Sequence, residues 1–129
     1  MLFHTRIQLG SAERAIVARD GRFVRVLEPG LTRLCGLGFD VQICDVRCPL
    51  RGRWAERLPR ERPDVVARYF HRVAGDPFEV LYIYVNGVLD RVEVPGRQVL
   101  YWKGLVQVTS QAVDLIERPR KRRAAALAA

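Results

Sequence analysis

Few residues of this 129-residue chain are of types that do chemistry: two histidines, three cysteines and a pair of aspartates placed alike in two similar segments. Acid–base work needs a histidine oriented by a neighbouring carboxylate. His4 and His71 each stand without an acid at a spacing that would bring it alongside, and both read as surface or satisfied core residues. Tetrahedral zinc needs four ligands. Three residues separate Cys44 from Cys48 and eight separate Cys35 from Cys44, with neither histidine near them, which matches no zinc pattern. The odd count argues against a disulfide framework, and free thiols read as small buried hydrophobes. Asp45 and Asp114 could pair as carboxylates only in a geometry the fold would have to supply, and more simply they end or edge strands. Ser11, Thr109 and Ser110 lack a nucleophile elbow. The run "GLGF" at 36–39 lacks the helix and lysine of a phosphate loop. The sequence therefore assigns no catalytic residue, metal ligand, cofactor or small-molecule substrate.

The elements that would position any site are mostly strands. "RAIVAR" (14–19) and "RFVRVL" (22–27) flank Asp20-Gly21, a pair suited to the positive φ angles of a type I′ hairpin turn. Pro29-Gly30 then stops the second strand. After a glycine-containing bend, "FDVQICDVR" alternates as a third strand with both faces partly covered. The same grammar recurs. "EVLYIYV" (79–85) and "VLDRVEV" (88–94) flank Asn86-Gly87, and Pro95-Gly96 closes the return strand. "QVLYW" (98–102) and 105–115 read as further strands. Without gaps, Gly21 falls on Gly87, Pro29 on Pro95 and Gly30 on Gly96, and a three-residue gap brings Asp45-Val46 onto Asp114-Leu115. A match of turn, strand length and stop together points to a duplication. Between the copies, Trp54, Leu58, Val65, Val66, Tyr69 and Phe70 fall at helical spacing and Pro63-Asp64 suits a first turn. This predicts helices over about 51–58 and 63–71 with arginines outermost, then a turn over 72–78.

The net charge of +8 is unevenly placed. Residues 51–72 carry seven arginines against three acids, and 117–129 carry five basic residues against Glu117, while the rest of the chain balances ten against ten. The excess thus sits in the linker and the tail. Twenty of the 22 basic residues are arginine, which a coding bias explains as well as a need for bidentate phosphate contacts. The tail cluster Arg118, Arg120, Lys121, Arg122 and Arg123 admits three readings: contacts to nucleic-acid phosphates, contacts to an anionic membrane surface, or a solvated end. Tyr82, Tyr84, Tyr101 and Trp102 could stack bases, but as strand residues they read as core or interface. No uncharged run exceeds ten residues, short of the about 18–20 that a membrane helix needs. The N-terminus lacks a signal-peptide pattern. The expected location is the cytoplasm, or the periphery of a membrane.

The run "ERAIVARDGRFVRVLEPG" resembles the opening of the SPFH (Band 7) domain of slipins, the prokaryotic stomatin relatives. "YVNGVLDRVEVPGRQVLYWKGLVQVTSQAVDL" is similar to the segment preceding the SPFH core in a bacterial slipin subgroup, where a "YWKGLV"-like run is characteristic and such hairpins occur in tandem. The resemblance covers about residues 12–47 and 78–116. Slipins also carry a hydrophobic membrane segment, the remainder of the SPFH domain and a long oligomerising helix. None of these has a counterpart here, so the chain reads as a fragment, a truncated paralogue or a small protein of tandem hairpins.

Residues and resemblance together predict an α+β fold dominated by antiparallel strands. Residues 1–116 form one compact domain of two repeats (about 12–47 and 78–116) with a possible pseudo-twofold and a helical linker at 51–72, followed by a basic, Ala-rich tail at 117–129, disordered or the start of a helix. Asp20, Gly21, Pro29, Gly30, Asn86, Gly87, Pro95 and Gly96 are turn geometry. The expected function is a non-catalytic scaffold or adaptor, a homo-oligomer acting through protein contacts at exposed hairpin edges. The alternative is a small basic nucleic-acid-binding protein using the linker and tail arginines.

Overall fold

The computed structural model describes residues 4–115. The tail cluster Arg118, Arg120, Lys121, Arg122 and Arg123 lies outside the described residues. The chain runs β1 (His4–Leu9), β2 (Glu13–Arg19), β3 (Arg22–Leu27), β4 (Gly30–Cys35), β5 (Phe39–Asp45), α1 (Arg53–Glu61), α2 (Pro63–Tyr69), β6 (Phe70–Ala74), β7 (Glu79–Val85), β8 (Val88–Glu93), β9 (Gln98–Trp102) and β10 (Val108–Asp114). Every ladder is antiparallel. The expected α+β class holds.

The strands form two five-stranded units of one design. In the first, β3-β2-β5 is a three-stranded sheet and β1-β4 a two-stranded ladder; in the second, β10-β7-β8 and β6-β9 repeat it. The correspondence reaches single hydrogen bonds. Glu13 pairs with Asp45 as Glu79 pairs with Asp114. The β2–β3 register slips between Val17 and Ala18, and the β7–β8 register slips at the matching Ile83 and Tyr84. Val46 N–H donates to Ala12 O and Leu115 N–H to Phe78 O, both at 2.9 Å. In both hairpin turns the central residues have positive φ: Asp20 51° and Gly21 79°, Asn86 51° and Gly87 80°. That is the type I′ signature, which glycine adopts without a Cβ penalty.

The repeat extends upstream of residues 12 and 78, because β1 and β6 belong to it. β1 is mostly polar, and only Ile7 and Leu9 are buried, so its alternation is faint in sequence. β4 begins at Gly30, so the Pro-Gly pair turns the chain directly into another strand. The linker differs from expectation at its end. α2 stops at Tyr69 and Phe70 is already extended (φ −129°, ψ 151°), so residues 70–74 are strand and the turn is confined to 75–78. Val66, Phe70 and Val73 keep helical spacing in sequence, but ladder pairing with β9, about thirty residues away, decides the conformation.

Each unit has an inner core between its ladder and its sheet. Ile7, Leu9, Ala15, Val17, Leu27 and Leu34 fill the first, and Val73, Leu81, Ile83, Val99 and Tyr101 the second. A third, larger cluster joins the units. Ile16, Ala18 and Val26 from the outer face of the first sheet pack with Trp54 and Leu58 of α1, Val65 and Val66 of α2, and Phe70, Leu100 and Trp102 of the second unit's ladder. The contacting faces are not equivalent: the first-unit counterparts of Phe70 and Trp102 are the exposed His4 and Cys35. The units therefore meet head to tail rather than by a pseudo-twofold. No described helix is long and apolar enough to cross a membrane.

Candidate interaction surface

Among the described residues, the head-to-tail arrangement leaves one sheet face without a cover. In the first unit, β2 turns Ile16 and Ala18 outward, and helices and ladder bury them. Their counterparts in β7 are Tyr82 and Tyr84, both half-buried. The counterpart of Val26, 7% exposed, is Val92 at 49%. With Val80 on β7, Leu89 and Val94 on or beside β8, and Thr109, Gln111 and Val113 on β10, they make a face without a charged side chain. Leu89, Val94 and Val113 are 49%, 55% and 41% exposed. Exposed apolar side chains gathered on one uncharged face make it the candidate interaction surface.

The sheet edges differ in the same direction. Edge strands are normally guarded by charge, proline or bulges. β3 carries Arg22 and Arg25, and β8 carries Asp90, Arg91 and Glu93. β5 carries Asp40, ion-paired to Arg53, and Asp45, paired to Arg47 at 2.8 Å. The Arg47 hydrogen bonds hold the Asp45 carboxyl down at about 2. β10, "VTSQAVD", has no charge before its last residue. Sequence reasoning flagged exposed hairpin edges in general but did not single out β10 or the open face. Comparing charges between repeat-equivalent strands would have found both.

The candidate chemical residues do not converge. His4 and His71 are exposed on β1 and β6. Cys35 and Cys48 are exposed, against the expectation of buried thiols, because one ends β4 at the surface and the other lies in the turn after β5; Cys44 is half-buried, and burial pushes its thiol up to about 11. Asp45 and Asp114 occupy matching places in different units. Among the described residues, Asp76, Glu79 and Asp114 bring carboxylate oxygens within 4.8 Å of one another. The Glu79 carboxylate accepts from Asp76 N–H at 3.1 Å, as the Glu13 carboxylate accepts from Gly10 N–H at 2.7 Å, so its place is that of a turn-closing residue common to both units. Tyr101 and Trp102 point into different cores, so the four rings form no single platform. Tyr101 OH donates to Asp90 at 2.7 Å, and burial pushes its phenol above the ordinary value.

Asp20-Gly21 and Asn86-Gly87 sit in the two hairpin turns and Pro95-Gly96 in the turn before β9, while Gly30 is the first residue of β4. Several linker arginines are engaged inside the molecule. Arg57 stacks on Trp54 at 4.4 Å and pairs with Glu61 at 2.8 Å, and its guanidinium donates to Gly21 O. Arg62 lies over Phe23 and pairs with Asp64 at 3.0 Å. No protein-family model, curated protein or solved structure matches this chain.

Proposed function

We propose that the protein is a non-catalytic scaffold or adaptor module, similar to the N-terminal hairpin region of slipin SPFH domains, that works through protein–protein contacts, including contacts with its own copies. It acts in the cytoplasm or against a membrane surface. The observation that carries the reading is the open, uncharged outer face of β10-β7-β8. The fold covers the equivalent face of the first unit with two helices and a ladder, and among the described residues leaves this one open. Aromatic and aliphatic side chains framed by charged neighbours suit a protein partner. The nucleic-acid alternative loses support in the linker, where Arg53, Arg57 and Arg62 are held in ion pairs or over rings.

Mass by light scattering across micromolar concentrations, run beside a duplex-DNA titration at low and high salt, tests the reading. It expects mass that rises with concentration and no salt-sensitive DNA binding. A strict monomer that binds DNA steeply weaker at high salt overturns it.

A further inference from the structure

We propose that β10 pairs with β10 of a second copy, antiparallel about a two-fold axis at Gln111, to join two three-stranded sheets into one of six strands. The inference rests on the self-association reading above and names its contact.

Backbone direction gives the first support. Asn86 N–H donates to Gln107 O at one end of the β7–β10 ladder and Leu115 N–H donates to Phe78 O at the other. Both pairs continue the ladder register, in which Val108 faces Val85 and Asp114 faces Glu79. In an antiparallel ladder, hydrogen-bonded and non-hydrogen-bonded pairs alternate. Thr109, Gln111 and Val113 therefore spend their backbone groups on β7, while Val108, Ser110 and Ala112 turn theirs to the far side. Among the described residues no strand lies there. A two-fold at Gln111 sets outward residues opposite outward residues: Ser110 against Ala112 of the partner subunit, and Val108 against the end of the partner strand. The two Ser110–Ala112 pairs alone form about four inter-chain hydrogen bonds.

Charge gives the second. An isologous interface sets each residue of the axis against itself, so a charge near the axis repels its own copy. β10 has none there: Gln111 meets Gln111 of the partner subunit, and Thr109 meets Val113 of the partner subunit across the outer face. The edges of β3, β5 and β8 carry charged residues within the strand and are protected against the same pairing. Pairing through β10 closes at two copies and doubles the uncharged face, with the Tyr82, Tyr84 and Val92 clusters of both copies side by side.

The experiment uses the full chain and two exposed-site variants, Gln111→Lys and Gln111→Glu, checked for native circular dichroism. Sedimentation velocity is recorded for each variant alone and for their equal mixture. We expect a concentration-dependent dimer for the unmodified protein, its loss in each variant, and its return in the mixture, where Lys faces Glu. Ser110→Pro, which removes an outward N–H that no internal bond uses, should also abolish the dimer without loss of fold. A dimer that persists in Gln111→Lys overturns the β10 contact while leaving self-association standing. A chain that stays monomeric overturns both, and loss in the variants without rescue in the mixture overturns the two-fold at Gln111.

Discussion

The head-to-tail arrangement makes one pair of equivalent positions energetically unequal. Ile16 and Tyr82 occupy the same place in the two units, yet Ile16 is fully buried in the joining core and Tyr82 lies on the open face. Ile16→Ala removes three carbon groups, about 2.4 kcal/mol at about 0.8 per methylene. The cavity left among Trp54, Leu58 and Trp102 brings the cost to about 3–5 kcal/mol. Tyr82→Ala removes a larger side chain but one that is already hydrated on one side, and should cost about 1 kcal/mol. With a urea slope near 1.5 kcal/mol per molar, the first moves the midpoint by about 2–3 M and the second by under about 1 M. Fluorescence is a suitable probe, because Trp54 and Trp102 both sit in the joining core. Circular dichroism of the strands should fall in the same transition, since that core ties both units together. Equal costs at the two positions would show that the second face is covered after all. An Ile16→Ala cost below about 1 kcal/mol would show that the joining core is not formed as described.

Tyr101→Phe should cost about 1 kcal/mol by removing the hydrogen bond to Asp90. Because the folded state raises the Tyr101 phenol above its ordinary value, its stabilisation is complete below about pH 10, where the unfolded tyrosine ionises, and fades above it. Alkaline unfolding should therefore lose steepness in the Phe variant, read as midpoint against pH. Gly87→Ala should cost about 1–2 kcal/mol from φ of 80° alone, since a Cβ there meets nothing within 4 Å; thermal unfolding measures it. With a thiol reagent at neutral pH, Cys35 and Cys48 should react quickly and Cys44 slowly, because its thiol is held protonated and half-buried. Three thiols reacting at one rate would contradict the placement of Cys44.

Local signals determined the hairpins, the turns and the repeat. Asp20-Gly21 and Asn86-Gly87 specify type I′ turns because few other residues accept two consecutive positive φ values, and the matched spacing of Pro29-Gly30 and Pro95-Gly96 exposed the duplication. The Asp45–Asp114 correspondence also holds in the ladder registers. Helical spacing identified Trp54, Leu58, Val65 and Val66 as core. The polar strand β1 and the strand β6 were not legible, because two-stranded ladders take their conformation from distant partners and leave little period in sequence. Nor could the sequence say that Ile16 is buried and Tyr82 open. Both sit in well-patterned strands with the same neighbours in register. Only the tertiary structure, by packing the second unit's ladder and the two helices onto the first sheet, makes one face core and leaves the other as surface. Burial there depends on what arrives from elsewhere in the chain, and no local pattern records that.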